Sequence, residues 1–403
     1  MVINKPTLLL YCQHSLGMGH LVRSFSLTRV LTQYFQVVFL NGGPIPDKLP
    51  VPQDIEMINL PALGMDDTSQ LISKDSQYTV EQAKTVRKQT IMDALTHYQP
   101  SVILIELYPF GRKKFADELI PLLEQAQQMG AQRPAIFCSL RDILVDRQQK
   151  QQVHDDRAAG VLNQYFDAVL VHSDPRFAQL SESFRPSQDI QAEIFYSGFV
   201  STNCDAQTTT VPASTNSVLV SAGGGIVGMP LFSAAVIAQP LLWLNHQLEM
   251  TIVAGPFLPA EDWQELQEMS ENVPGLTLIH AVSDLRALMQ QHDYSVSQCG
   301  YNTVMDLLVT NSKALLVPFS QGIEDEQSNR ARRLQKLGVM KLLEADQLSP
   351  ESLEQAIIQL QHFSPNTSTL DIDGAENTAQ YITSWIEGNS SNRLTSTTRV
   401  NMS

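Results

Sequence analysis

The chain has 403 residues, of which 43% are hydrophobic and 17% charged, and its 27 Lys and Arg against 42 Asp and Glu give a formal net charge of −15. This length favours two domains, the hydrophobic content excludes wholesale disorder, and the acidic balance argues against nucleic-acid binding. The four cysteines are far apart and form no CxxC pair, so we predict buried, reduced thiols in a cytoplasmic protein.

The N-terminal apolar run is short, ends at Gln13 and is typical of a first strand rather than a secretion signal. No stretch approaches the ~20 apolar residues of a spanning helix. The most apolar stretch, residues 229–244, is interrupted by Pro230, Gln239 and Pro240, and we predict a buried helix and turn there. We therefore expect no transmembrane segment.

Short apolar runs then alternate with longer amphipathic stretches, which predicts β–α units on a parallel sheet. The strands predicted in the first half are Leu8–Cys12, Val37–Leu40, Met57–Asn59, Val102–Glu106, Ala135–Ser139, Ala168–His172 and Ile194–Tyr196. The helices predicted between them are Leu21–Gln33, Val80–Tyr98 and Phe115–Met129.

A second α/β series follows a polar stretch, residues 201–216, that is rich in Ser and Thr and predicts a linker. Its predicted strands are Ser217–Ser221, Met250–Ala254, Leu276–His280, Tyr294–Ser297 and Ala314–Pro318, and its clearest helices are Glu261–Glu271, Leu285–Gln291 and Asn302–Thr310. We predict domains at residues 1–200 and 217–387 and a disordered tail at residues 388–403. Two such halves create a cleft at the carboxyl ends of both sheets, where open parallel sheets bind ligands.

The loop after the first strand has glycines, including Gly17 and Gly19, before a helix that begins with His20 and carries Arg23. Such a loop lets backbone amides and a helix N-terminus approach an anionic or polyhydroxy ligand. An imidazole at this point can act as a general base at neutral pH. The alternative is that His20 only caps or packs.

Two loops of the second half have a similar character. Gly223, Gly224 and Gly225 follow the first strand of that half and suit a backbone nest for phosphate, with a plain tight turn as the alternative. In the later loop Gly300 makes a turn and Asn302 is a plausible N-cap, so that the amides of Gly300 and Thr303 point at a phosphate. Asp306, one turn further on, can accept both hydroxyls of a ribose.

In this order, the loops resemble those of the GT-B glycosyltransferases. The closest group contains the enzyme that adds N-acetylglucosamine to the lipid-linked peptidoglycan precursor, and within it a bacterial branch of predicted glycosyltransferases. The resemblance covers roughly residues 7–345, and six segments carry it: 17–27, 140–144, 172–175, 221–225, 254–257 and 299–308 with the EDEQ segment after it. It implies two Rossmann-like α/β domains that face each other across a cleft.

The resemblance further implies that the second half holds the nucleotide-sugar donor, with phosphates near Gly223, Gly224, Gly225, Gly300 and Thr303 and with Asn302 among the donor-binding residues. Asp306 would bind the ribose, the backbone at Val282 the base, and Glu326 and Gln327 the donor sugar. The ribose position is commonly Glu in these enzymes, so Asp306 is one methylene shorter here.

By the same resemblance the first half binds the acceptor, with His20 as the base and Gly17, Gly19 and Arg23 in the acceptor-side loop. The implied reaction is transfer from a UDP-sugar to an acceptor hydroxyl, with inversion. Helix N-termini and amides handle the phosphate charge, so we expect no metal and no cofactor. The expected partners are the donor and a small-molecule, glycan or lipid-linked acceptor. A lipid-linked acceptor requires peripheral membrane contact. The helix over residues 79–98, with Lys84, Arg87 and Lys88, is a candidate for that contact, and the alternative is an ordinary domain helix.

Three other functions fit the same fold. The opening loop also looks like that of nucleotide-sugar hydrolases, in which the histidine activates water, and nucleotide-sugar epimerases share the architecture. A non-catalytic nucleotide-sugar binder would keep the phosphate site and lose the base, whereas His20 is present here.

Overall fold

The structure is a computed structural model that describes residues 5–14, 19–46, 49–66, 68, 70–142, 150–201, 216–319, 326–366 and 370–400, with the backbone alone from residue 389. The chain divides into two compact units. Unit 1 comprises Met1–Val200 and Asp373–Ser403, and unit 2 comprises Ser201–Ile372.

Unit 1 is built on a seven-stranded parallel sheet. In chain order its elements are β1 Thr7–Cys12, α1 Gly19–Leu31, β2 Gln36–Asn41, β3 Ile55–Asn59, β4 Leu63–Met65, β5 Leu71–Ser73, α2 Val80–Tyr98, β6 Val102–Glu106, α3 Ala116–Gln128, β7 Ala135–Arg141, α4 Gln151–Tyr165, β8 Ala168–His172 and β9 Glu193–Tyr196. The sheet order is β3-β2-β1-β6-β7-β8-β9, and β4 and β5 form a separate antiparallel pair. Because the order reverses at β1, the crevice between the ends of β1 and β6 is the expected ligand position.

Unit 2 repeats this plan with six parallel strands. Its elements are β10 Ser217–Ser221, α5 Met229–His246, β11 Glu249–Val253, α6 Ala260–Ser270, β12 Leu276–Ile279, α7 Leu285–Gln291, β13 Tyr294–Ser297, α8 Tyr301–Thr310, β14 Lys313–Leu316, α9 Glu326–Lys336, β15 Lys341–Leu342 and α10 Pro350–Leu360. The sheet order is β12-β11-β10-β13-β14-β15, so the reversal lies at β10 and β13. Short 3-10 helices complete both units at Lys113–Phe115, Gly130–Gln132, Leu180–Glu182 and Ala345–Gln347.

The central strands are apolar on both faces because helices cover both sides of each sheet. Along β1, Leu8 and Leu10 pack into one buried cluster of unit 1, and Leu9 and Tyr11 pack into the other. This burial explains why the sequence shows continuous apolar runs rather than alternation.

The chain end corrects the predicted domain boundary. We expected residues 217–387 to form one domain and residues 388–403 a disordered tail, but α11, Gly374–Val400, belongs to unit 1 and is helical beyond residue 388. Ala379 and Ile382 are buried in the same cluster as Leu8 and Leu10, and the ring of Tyr381 stacks on Phe195 with centroids 4.1 Å apart. The predicted linker lies almost wholly in residues 202–215, outside the described residues.

Helix α2 is an ordinary domain helix. Its predicted bounds are confirmed, and a capping box between Thr79 and Gln82 fixes its first turn. Arg87 is wholly buried, where its guanidinium pairs with Glu118 at 2.6 Å. Lys84 pairs with Asp117 at 2.9 Å. A buried Arg87 cannot face lipid headgroups, which corrects the candidate membrane-facing role for this residue. Among the described residues no helix has both the length and the hydropathy needed to cross a membrane.

Candidate functional site

In unit 1, His20 and Glu106 form a histidine–carboxylate pair at the point where the strand order reverses. His20 is the second residue of α1, which follows β1, and Glu106 is the last residue of β6. Nδ1 of His20 lies 2.5 Å from Oε1 of Glu106, and the two side chains are 17% and 1% exposed. His20 is therefore the member of the pair that solvent reaches.

Two arginines surround the same carboxylate. Nη2 of Arg23 donates to Oε1 of Glu106 at 2.7 Å, and Nη2 of Arg112 donates to Oε2 at 3.1 Å. Burial alone raises the pKa of Glu106, but the contact with His20 and the charges of Arg112 and Arg23 outweigh it and hold that pKa well below its usual range. Glu106 is thus ionised at neutral pH.

The burial of His20 favours its neutral form. Burial lowers the pKa of His20, Glu106 raises it, and the nearby Arg23 and Arg112 lower it again, so that the pKa falls below 6.5. A neutral imidazole whose Nδ1–H is held by a carboxylate presents Nε2 as a proton acceptor. This arrangement has the chemistry of a general base.

The acceptor-side loop is only partly described. Gly17 lies outside the described residues, whereas Gly19 begins α1. Arg23 is only 2% exposed, and its guanidinium pairs with Glu106. It therefore stabilises the pair of His20 and Glu106 and does not face solvent.

A wholly buried histidine, His172, lies at the carboxyl end of β8. Nε2 of His172 lies 2.7 Å from Oγ of Ser139, and Nδ1 lies 2.9 Å from Oγ of Ser197. Burial, assisted by the charge of Arg23, lowers the pKa of His172 to about 3. This histidine is neutral and links the ends of β7, β8 and β9.

In unit 2, the glycine loop after β10 has a shape that only glycine tolerates. Gly223 and Gly225 have φ of +59° and +93°, and a Cβ on Gly225 would lie 2.3 Å from the backbone oxygen of Ala254. Gly255, with φ +98°, closes on the loop from β11 in the same way, and the amide of Phe257 donates to the oxygen of Gly224 at 2.9 Å. Close backbone approach, not only a turn, explains these glycines.

Helix α8 begins beside that loop. A Cβ on Gly223 would lie 3.3 Å from Oγ1 of Thr303, so the predicted phosphate residues of the two loops do meet. The N-cap, however, is Gly300 and not Asn302, because the helix already begins at Tyr301 and no side chain caps it. The positive end of the α8 dipole thus lies beside the glycine loop, where it favours an anion.

Asp306 lies two turns into α8 and is paired. Its Oδ1 accepts from Nε of Arg286 at 2.6 Å, and the side chains of Arg286 and Asp306 are 13% and 19% exposed. Arg286 is the second residue of α7, and Val282, half-buried, lies in the turn between β12 and α7. The contact therefore joins the helix that carries the predicted ribose residue to the helix that follows the turn at Val282.

The two residues predicted to contact the donor sugar have structural partners. Oε1 of Gln327 accepts from the amides of Cys299 and Phe319, both at 3.1 Å, and so ties together the ends of β13 and β14. Oε1 of Glu326 accepts from Nη2 of the wholly buried Arg330 at 2.6 Å. These contacts do not support direct sugar binding through those two oxygens.

Comparison with known proteins gives one family match. Residues 219–382 match the glycosyltransferase family 28 C-terminal domain. The UDP-N-acetylglucosamine–N-acetylmuramyl-(pentapeptide) pyrophosphoryl-undecaprenol N-acetylglucosamine transferase of Synechocystis is 24% identical over 192 residues, which are 45% of this chain and 51% of that protein. The enzyme of the same name from Synechococcus elongatus is 27% identical over 150 residues, 37% of this chain and 40% of that protein. The chain thus spans about half, or less, of these relatives.

Solved structures share the fold over nearly the whole chain. MurG of Acinetobacter baumannii has a TM-score of 0.58 at 14% identity and covers 94% of this chain and 99% of its own. The glycotransferase of kitacinnamycin has a TM-score of 0.59 at 13% identity and covers 94% and 98%.

The solved structures show that the chain has the GT-B fold, with two Rossmann-like α/β units. Within that class it is related to the peptidoglycan N-acetylglucosaminyl transferase family, and its second half carries a glycosyltransferase family 28 C-terminal domain. The predicted fold class and family relationship are confirmed.

Sequence reasoning missed Glu106, Arg112 and Arg286 as site residues. Glu106 carried one usable signal, since it is a carboxylate at the end of an otherwise apolar buried strand. A charged residue in that place is rarely buried without a partner.

Proposed function

We propose that the chain transfers a sugar from a UDP-sugar to an acceptor hydroxyl with inversion at the anomeric carbon, and that His20 is the general base. The contact between His20 and Glu106 carries the proposal, because it gives a neutral, solvent-reachable imidazole with its tautomer fixed. The names of the relatives, which are UDP-N-acetylglucosamine transferases, support the choice of donor.

In the proposed step, the acceptor O–H donates its proton to Nε2 of His20 while its oxygen bonds to the anomeric carbon. The bond from that carbon to the diphosphate oxygen breaks, and the leaving nucleoside diphosphate takes the electron pair. Glu106 stays ionised and stabilises the imidazolium that forms, since its pKa is held low by its cationic neighbours. Arg23 and Arg112 fix Glu106 in place.

The proposed donor site is in unit 2. The diphosphate would lie against the amides of the Gly223–Gly225 loop and the first turn of α8, where the helix dipole favours negative charge. Asp306 would bind the ribose and the turn at Val282 the base. We propose that this site requires no metal and no cofactor, so nucleotide release should be equal in EDTA and in Mg²⁺.

The test is calorimetric titration with UDP-, GDP- and dTDP-sugars, followed by measurement of nucleotide release. Saturable binding with slow nucleotide release that a cell extract accelerates supports a transferase. We propose a small molecule, a glycan or a lipid-linked sugar as its acceptor and the cytoplasm as its location. Rapid release with water alone supports the nucleotide-sugar hydrolase, and interconversion of the sugar supports the epimerase. Binding without turnover under any condition supports the non-catalytic binder.

A further inference from the structure

Cationic side chains are scarce in the part of unit 2 that builds the donor site. Residues 217–319, all of them described, contain two lysines or arginines, Arg286 and Lys313. Lys313 is the first residue of β14 and so lies at the amino edge of the parallel sheet, and its Nζ donates to the backbone oxygen of Gln361 at 3.5 Å. Arg286 follows β12 and lies at the carboxyl edge, where the glycine loops emerge.

Arg286 is also fixed in position relative to α8. Its Nε donates to Oδ1 of Asp306 at 2.6 Å. Asp306 is three residues after Thr303 and four after Asn302 in the same helix, so the three share a face. The guanidinium is therefore anchored beside the helix face whose first turn meets the glycine loop.

A bare carboxylate on that face would oppose a nucleoside diphosphate. The ligand carries several negative charges, and at short range within a partly buried site their repulsion by Asp306 is substantial. An arginine neutralises the carboxylate, and a guanidinium, with five N–H groups in a planar fork, can contact more than one anion.

We propose that Arg286 is a donor-binding residue that bridges Asp306 and the diphosphate and offsets the negative charge of Asp306 beside that ligand. This inference rests on the proposed function, since it assumes a nucleoside diphosphate at this edge. It assigns to unit 2 a side chain that binds the anionic portion of the ligand, in addition to the backbone amides. Asp306 then binds the ribose, and Arg286 binds the diphosphate of the same ligand.

The experiment is calorimetric titration of the full chain with UDP and with uridine, for the wild type, Arg286→Gln and Arg286→Lys. Lys313→Gln is the matched control, because it removes the other cation of the same stretch. We expect Arg286→Gln to weaken UDP binding by about tenfold or more and uridine binding much less, since a charge-assisted contact is lost. Arg286→Lys should recover part of the UDP affinity, and Lys313→Gln should match the wild type.

Asp306→Ala gives the contrasting pattern, because the loss of a ribose contact should weaken UDP and uridine alike. Equal losses of UDP and uridine in Arg286→Gln would overturn the inference and leave Arg286 as a support for Asp306. Unchanged UDP binding in that variant would also overturn it while the proposed donor survives. If the wild type binds no nucleotide, both proposals fail together. Thermal melts establish that each variant is folded, and Arg286→Lys decides the question if Arg286→Gln is not.

Discussion

Nδ1 of His20 and Oε1 of Glu106 lie 2.5 Å apart although 86 residues separate them in the chain. The contact follows from topology, because β1 and β6 are neighbours at the reversal of strand order, Glu106 ends β6, and His20 lies in the first turn of the helix that follows β1. The pair is therefore placed by the sheet itself, and the predictions below follow from its chemistry.

His20→Ala should lower turnover by about 10²–10⁴-fold, the usual contribution of a general base, and leave UDP affinity unchanged. Glu106→Gln should lower turnover less, because the imidazole remains but loses its negative partner. Nucleotide release from a UDP-sugar in the presence of cell extract measures the first quantity, and calorimetry measures the second. Full turnover in His20→Ala would remove this residue as the base.

Glu118→Gln is the matched control for Glu106→Gln. Both changes remove a buried carboxylate from an arginine, Arg87 in one case and Arg23 with Arg112 in the other. Each should destabilise the fold by about 3–5 kcal/mol, measured by urea unfolding, since a buried cation loses its partner. Only Glu106→Gln should reduce turnover beyond the loss of folded protein; equal losses in the two variants would contradict a role for Glu106 beyond stability.

The pH profile of kcat/KM tests the charge state of the base. His20 must be neutral to accept a proton, and its pKa lies below 6.5, so activity should rise with pH through a midpoint below 6.5 and then level. Glu106 raises that pKa, so the midpoint should move to still lower pH in Glu106→Gln. A midpoint above 6.5 in the wild type would contradict this account.

The glycine loops offer a matched pair of alanine variants. Gly225→Ala should reduce both stability and UDP affinity, because its φ of +93° is strained for alanine and the new Cβ would meet the Ala254 oxygen at 2.3 Å. Gly300→Ala should leave stability nearly unchanged, since its φ is −66° and the nearest atom to a Cβ is 3.8 Å away. Unfolding midpoints and UDP titrations of both variants check this; equal destabilisation would show that the loop shape is not the cause.

His172 should make the stability of unit 1 sensitive to acid. Its pKa is about 3 in the folded protein and near 6.5 when unfolded, so the unfolded chain binds more protons between these values and stability falls as pH drops below 6.5. The slope from this residue approaches about 1.4 kcal/mol per pH unit. Urea unfolding from pH 7.5 to 5 should give a shallower slope for His172→Asn, which is also less stable at pH 7.5. An identical slope in the variant would assign the effect to other groups.

Much of the fold can be predicted from the sequence, because strands that are buried on both faces appear as continuous apolar runs. Runs such as Val102–Glu106 and Ala168–His172 match the structure at both ends, and the glycine loop at Gly223–Gly225 was predicted from its composition alone. The point at which the strand order reverses in each sheet could not be predicted from the sequence, since strand order depends on contacts between distant segments.

The same limit explains the site residues that were missed. Glu106 and Arg286 are identified as site residues by their contacts with His20 and Asp306, which form only in the folded chain. Gln327 shows the converse, because its position in the EDEQ segment suggested sugar binding whereas its Oε1 is engaged by two backbone amides. A local sequence pattern indicates candidate ligand-binding side chains, and the tertiary structure shows which of them are already hydrogen-bonded within the protein.

The return of α11 to unit 1 has a consequence for synthesis on the ribosome. Unit 2 is one continuous segment inserted between two parts of unit 1, and its two connections are adjacent, since Val200 pairs with Asp373. Unit 2 can complete its core while the final helix is still in the exit tunnel, whereas the buried positions of Ala379 and Ile382 stay empty until then. We expect the earlier-translated half to mature last, and a chain truncated after residue 372 to have a complete core in unit 2 and an open apolar face in unit 1.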